Sequence, residues 1–343
     1  MKLTEHQKGM LFAAAGALGW GLSGVCSQFL FTDYKLDPSW LTSIRMILSG
    51  PVLLLLATKR NDIMQPLQNK RDILQLLFFA LFGLLLCQYA FLAAIQASNS
   101  GTATVLQSLN IVLMAIAMAV WKRTALNKSQ LLSVFLAVFG TYLIASGGRL
   151  TQIVLSPAGL IWGLLSAVGV VSYTLISQGL VRRYGSTTVT GWGMLIGGFV
   201  LGAATAVWNI PGNLDIVAYL AIAVVVLLGT AGGFSLYLLG AKLIGPVKAA
   251  LLGCLEPISS TLLSALFLGT SFGLAELWGF SCIIAAVILT LLPEVLRGLS
   301  DYRMLIYSIV LIAMMLFNWA PKCIEFRQRM AAKMKKNTKK GVQ

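Results

Sequence analysis

Apolar residues in this chain neither alternate with polar ones nor recur once per helical turn. They run nearly unbroken for about twenty residues at a time and stop at short polar breaks. The runs cover residues 8–30, 38–57, 72–94, 100–121, 127–146, 157–180, 187–208, 216–239, 246–268 and 273–292, with an eleventh at 303–319. Crossing a ~30 Å hydrocarbon core takes about 20 helical residues, so the runs predict membrane spans rather than the core helices of a soluble domain. The first run follows Lys2 and Lys8 as a signal peptide would, but it is long for one and many spans follow it. It reads as an uncleaved first helix. The expectation is an all-α polytopic membrane protein.

One run holds an acid at depth. Glu256 lies near the middle of 246–268, where an ionised carboxylate costs roughly 2.5–3.5 kcal/mol on insertion scales. It is the only acid deep in any of the first ten runs. Pro257 follows it, removing one backbone hydrogen bond and predicting a bend near Gly253. At about 100° per residue, Lys248, Leu252, Glu256, Ser259 and Leu263 share one side of the helix. A polar stripe on a bent membrane helix points to a solute path. The plainer alternative is an acid neutralised by a neighbouring helix for packing alone.

Composition and charge narrow the class. The chain is 58% hydrophobic and 11% charged, against about 25% charged in soluble domains. A net charge of +15 would suggest nucleic acid in a soluble protein. Here the basic residues sit in short loops and the tail, which points to orientation and anionic lipid instead. With the N-terminus in the cytoplasm, inner segments up to residue 303 hold fifteen Lys and Arg, and outer loops hold only Lys35 and Arg149. That bias predicts ten spans with a cytoplasmic N-terminus in a cell membrane, the bacterial inner membrane being the natural setting. The basic tail breaks the pattern if 303–319 also crosses, so that segment either spans or lies along the cytoplasmic face. Five scattered cysteines without a C-x-x-C pair, and the lone His6, predict neither a disulfide framework nor a metal site.

The runs repeat. Gly9, Ala17, Gly19 and Gln28 match Gly159, Ala167, Gly169 and Gln178, all 150 residues on. Gly50 meets Gly197, and Ala94, Ala103 and Ile111 meet Ala241, Ala250 and Ile258, at 147. Two five-helix halves follow, 5–147 and 155–295, with an extra hydrophobic segment and basic tail over 300–343. Five is odd, so the second half enters from the opposite side, the inverted arrangement of many secondary transporters.

The halves resemble the EamA-type domain of the drug/metabolite transporter superfamily. The resemblance rests on Trp20–Gly21, Arg45, SNSGTATVLQSLNIV opening the fourth span, GAKLIGPVKAALLGCLEPISS, and the LFLG that ends the ninth. Two positions depart from it. Asn110 stands where the family commonly has proline, which implies a fourth helix straighter than the ninth. Thr270 stands where a Gly-Glu pair is common. The resemblance implies a ten-helix carrier working by alternating access, its cavity lined by the first, third, fourth, sixth, eighth and ninth helices. Polar residues on those helices are the binding candidates: Trp20, Ser23, Gln28, Gln88, Tyr89, Gln107, Asn110, Tyr173, Gln178, Ser235, Lys248, Glu256 and Ser259. Any one of them could instead be interhelical glue, worth about 0.6 kcal/mol on average. Glu256 is the candidate for proton coupling or for pairing a substrate ammonium. Arg45, about two turns from the outer end of its span, is expected to snorkel to the interface in a structural role.

Hydroxyls, amides, rings and one acid suit an amino acid or related metabolite, with export the expected direction and no cofactor. Two other classes remain open. A membrane-embedded enzyme would need a nucleophile–base pair or a metal cluster, and the sequence has no H-E-x-x-H, G-x-S-x-G, Walker motif or paired acids. A non-transporting scaffold or sensor would not need a polar stripe.

Overall fold

Six of the apolar runs begin at a residue whose side chain caps the helix, because the first backbone N–H groups of any helix need an acceptor. In a computed structural model of the protein, Thr4 and Gln7 close a reciprocal capping box on the first helix. Asp37, Asn69, Asn99, Ser156 and Asp215 each accept from a backbone N–H of the helix they open. The described residues are 4–57, 63–123, 128–148, 155–212, 214–244, 249 and 252–298. The expectations for Lys248, for 303–319 and for the basic tail fall outside them.

The helices are α1 (Glu5–Asp33), α2 (Pro38–Leu55), α3 (Lys70–Ala97), α4 (Ser100–Ser108 and Asn110–Lys122), α5 (Lys128–Ser146), α6 (Pro157–Tyr184), α7 (Ser186–Ala204), α8 (Ile216–Ile244), α9 (Leu255–Leu268) and α10 (Leu274–Gly298). Among the described residues there is no strand. Seven helices, α1 to α4 and α6 to α8, are long and apolar enough to cross a membrane, and the apolar stretches of α5, α9 and α10 are shorter. With Phe82, Phe135, Phe199 and Trp278 all exposed, the surface suits a hydrocarbon solvent. The protein is an all-helical, multi-pass membrane protein. Met1–Leu292 forms one compact unit and a second begins at Pro293.

Three helices are irregular where they pass the middle of the bundle. α4 is interrupted at Leu109, between Ser100–Ser108 and Asn110–Lys122. The fourth span is therefore interrupted without the family proline, as the ninth is by its turn at Cys254. The Asn110 side chain donates to the Gln107 carbonyl (2.7 Å) and competes with the helical ladder, as short amides do. α3 and α8 widen into π-helical stretches at Phe79–Leu85 and Val224–Gly232. Such turns leave a carbonyl without its usual partner. In α8 the Thr230 hydroxyl takes it, donating to Val225 O at 2.8 Å. α9 begins at Leu255 after a turn at Cys254, one residue past Gly253.

Close helix contacts recur in pairs. A Cβ on Gly9 would meet Leu243 and Ile244 (2.6–2.7 Å), and one on Gly159 would meet Ala97 O and Ser98 (3.3 Å). One on Gly83 would meet Tyr173 at 2.7 Å, and one on Gly229 would run into Ser23. Small residues let helices approach this closely in a bilayer, where packing rather than water drives association. Among the described residues four buried apolar clusters lie around the bundle, the smallest joining Ala13, Ile244 and Ala249. Of the others, one joins Leu30, Leu41, Leu92 and Val225, a second Leu106, Ile144, Ala167 and Ile283, and a third Met46, Phe79, Leu180 and Met194.

Candidate functional site

Between these clusters lies a cavity of about 210 Å³, smaller than the roughly 300–1,000 Å³ typical of drug-sized sites. α1 contributes Trp20 and Ser23, and α2 contributes Arg45. α3 supplies Leu84, Cys87, Gln88 and Phe91, and the break in α4 supplies Gln107, Ser108, Asn110 and Ile111. Val170 and Tyr173 come from α6, and Gly229, Thr230, Phe234 and Tyr237 from α8. Gly253, Cys254 and Glu256 complete it beside Val287 of α10. The irregular stretches matter here: Leu84, Gly229 and Thr230 sit inside the π-helical turns. Asn110 reaches the cavity from just past the break in α4.

Rings make one wall. Trp20 stacks at a tilt on Tyr237 (4.8 Å between centroids) and edge-on to Phe234 (5.3 Å). The Trp20 indole N–H is buried without a hydrogen-bond partner. The Glu256 side chain makes no hydrogen bond or ion pair among the described residues. The ion pairs found there are Lys8–Glu5 and Arg183–Asp72.

Arg45 overturns its sequence expectation. It does not snorkel outward; it is 4% exposed and turns into the cavity. Its Nη2 donates to the Gln88 backbone carbonyl at 2.9 Å and to the Gln88 side-chain oxygen. The face that Arg45 presents was not readable from the sequence.

Of the sequence candidates, Trp20, Ser23, Gln88, Gln107, Asn110, Tyr173 and Glu256 share this cavity. Five others lie elsewhere. Gln28 ties α1 to α4 and α9: its amide oxygen accepts from Ser100 N (2.8 Å) and Ser264 Oγ (3.0 Å), and its nitrogen donates to Thr270 Oγ1 (3.1 Å). Tyr89 packs edge-on to Trp162 at 5.4 Å. Gln178 is exposed. Ser235 and Ser259 return their hydroxyls to Ala231 O and Glu256 O on their own helices. Lys248 lies outside the described residues. Cys87, Thr230 and Phe234 were not among the candidates, because nothing in an apolar run marks which thiol, hydroxyl or ring faces inward.

Polar ties also close both ends of the bundle. Opposite the Gln28 end, Arg183 grips buried Asp72 through both guanidinium nitrogens (2.9 and 2.8 Å), and the Tyr184 hydroxyl donates to the same carboxylate (2.7 Å). Beside the Gln28 end, the Tyr34 hydroxyl donates to Asp215 at 2.6 Å. That bond pushes the Tyr34 phenol up to about 12 and, with the Ala218 N–H, holds Asp215 below the usual carboxylate range.

Comparison with known proteins agrees with this architecture. The chain is 38% identical over 292 residues to the uncharacterized inner membrane transporter YicL of Salmonella typhimurium, covering 84% of this chain and 96% of that one. It is 29% identical over 156 residues to the uncharacterized transporter YcbK of Bacillus subtilis, covering 44% and 50%. A solved crystal structure superposes with a TM-score of 0.56 at 17% identity, covering 82% of this chain and 96% of that one, which speaks to the fold alone. The EamA-like transporter family matches twice, over residues 7–146 and 157–292. The chain belongs to the EamA-like transporter family, and is a membrane transporter.

Proposed function

We propose that this transporter is a secondary carrier that exports a small polar organic solute, an amino acid or related metabolite, by alternating access. The observation that carries this reading is the polar cavity itself. It is too small for a lipid and is built from both stretches that match the family. Ten spans in two inverted five-helix repeats, 5–147 and 155–295, are the frame this requires. Their support is the pairing of contacts at the repeat offsets. The Gly9–Ile244 contact corresponds to Gly159–Ala97, with residues 150 and 147 apart. The contact between Ser23 and Gly229 corresponds to that between Tyr173 and Gly83, 150 and 146 apart. The π-helical turns of α3 and α8 stand at matching places as well. The Lys and Arg bias supports a cytoplasmic N-terminus, and the name of the Salmonella relative supports an inner-membrane setting.

Glu256 is the group proposed to bind a substrate ammonium or to carry the coupling proton. The cavity's ring wall of Trp20 and Tyr237, with the Glu256 carboxylate, suits a cation, since a cation over Trp or Tyr gains about 0.5–2 kcal/mol. The test is transport in liposomes of the full chain, with and without a proton gradient. Glu256→Gln should abolish gradient-driven accumulation and spare exchange if it couples protons, and weaken both if it binds an ammonium. An unchanged rate and pH profile would remove both roles. Wild-type protein that moves no solute in either mode would favour a scaffold or sensor.

A further inference from the structure

Arg45 is a buried charge with no anion in contact with it among the described residues; Glu256, across the same cavity, acts on it only at longer range. The α2 helix carries it into the cavity with 4% of its surface exposed. Its hydrogen bonds all come from Nη2 and both go to Gln88. Nε is enclosed without a partner, and among the described residues Arg45's hydrogen bonds come from Nη2 and none from Nη1. Glu256 lines the same cavity, yet it is not among the ion pairs formed within 4.0 Å. A guanidinium removed from water is costly unless it is paired, and breaking or omitting the pair leaves that cost standing. Gln88 cannot supply it, because an amide oxygen carries no net charge. What Gln88 does supply is aim: two bonds to one nitrogen fix the plane of the guanidinium and leave its Nη1 side for a ligand.

We infer that Arg45, held by Gln88, is the anchor for a carboxylate on the transported solute. This rests on the carrier reading above and deepens it, since it names the group a substrate must carry. A monocarboxylate donates the missing negative charge and accepts charge-assisted hydrogen bonds, the stronger kind. An amine or polar tail on the same molecule then reaches toward Glu256 and the ring wall of Trp20, Phe234 and Tyr237. The anchor also explains why a position that lies near the membrane surface by sequence does not send its side chain there. The cavity offers the guanidinium a partner that arrives and leaves with each cycle.

The test begins on the ligand side and needs no mutant. The full chain in lipid nanodiscs is titrated with the common α-amino acids, β-alanine and 4-aminobutyrate, each beside its methyl ester, with intrinsic tryptophan fluorescence as the readout. Every acid that binds should do so at least about tenfold more tightly than its ester, the loss expected when a hydrogen bond to a charged group is removed. Arg45→Gln should erase that preference, and Arg45→Lys, which keeps the charge but not the fork, should narrow it. Wild-type protein that binds esters as tightly as acids, or binds no member of the panel, overturns the anchor. So does a folded Arg45→Gln protein that still prefers acids. Liposome transport separates this from the parent reading. A chain that carries esters as fast as acids remains a carrier without a carboxylate anchor, and one that binds acids selectively but moves none keeps the anchor and loses the carrier.

Discussion

Gly21 and Gly24 stand one turn apart on α1 and face the same neighbour, yet a methyl group should act oppositely at the two. A Cβ on Gly21 would collide with Ser259 Oγ and come within 3.0 Å of Glu256 O and 3.1 Å of Ser260 N. The Ser259 hydroxyl can rotate away, but the other two are backbone, so α1 and α9 must part by a few tenths of an ångström beside Glu256. A Cβ on Gly24 would meet nothing nearer than 3.4 Å, an ordinary contact. Both changes gain the same helix preference of Ala over Gly, about 0.5–1 kcal/mol. The difference between the variants is therefore the overpacking term alone, roughly 1–3 kcal/mol. Equilibrium unfolding in mixed micelles should find Gly24→Ala at or above wild-type stability and Gly21→Ala below Gly24→Ala by that amount. Ser259→Ala should restore part of the Gly21→Ala loss, because it removes the oxygen from the methyl's place but not the backbone behind it. Equal stabilities for the two alanine variants would mean that α1 and α9 do not meet in this register, and the Glu256 wall would need redrawing.

Two further outcomes are expected. Asp215 has a lowered pKa, so its pairing with Tyr34 stabilises the fold above the usual carboxylate range and is lost as pH falls through the lowered value. Tyr34 has a raised one, so its share is present below its ordinary value of 10.0 and lost only as pH rises through about 12. Asp215→Asn should remove that component from the acid limb of unfolding and leave the neutral range flat, and superimposable acid limbs would refute it. Cysteines placed in the Asp33–Asp37 and Thr270–Leu274 loops should react with an impermeant reagent on intact cells, while sites in the Lys59–Lys70 loop should not. Labelling of the latter would reverse the proposed orientation.

The spans were legible because their length is a physical requirement of the bilayer, and each of α1 to α10 coincides with an apolar run. Their inward faces were not. In a soluble helix the solvent face is polar and the period betrays the core, but lipid and protein interior are equally apolar. Nothing in the sequence separates buried Met46 from exposed Leu48, or buried Phe79 from exposed Phe82. Gln28 and Gln178 show the same limit across the repeat. They occupy corresponding positions, yet one knots three helices together and the other is exposed. The break in α4 escaped notice because proline is the loud signal for an interrupted helix, and here a short amide does the interrupting. Arg45, expected to reach outward, turns inward instead, and its face was hidden for the same reason as those of the phenylalanines.

A π-helical turn holds one residue more than an α-helix needs, and that surplus can travel. Exchanging one wide hydrogen bond for a normal one at its leading edge, and the reverse behind it, moves the surplus along the helix without a net loss of bonds. Side chains it passes swing by about 100°, the angle between successive residues. In α8 the surplus is pinned, because the Thr230 hydroxyl is spent on the Val225 carbonyl. The stretch Phe79–Leu85 in α3 contains no hydroxyl with which to pin its own. Cys87 and Gln88 lie two and three residues past its end, and Gln88 steers Arg45. Of the two π-helical stretches the one in α3 lacks such a hydroxyl, and a shift of its surplus residue toward Gln88 would re-aim the guanidinium.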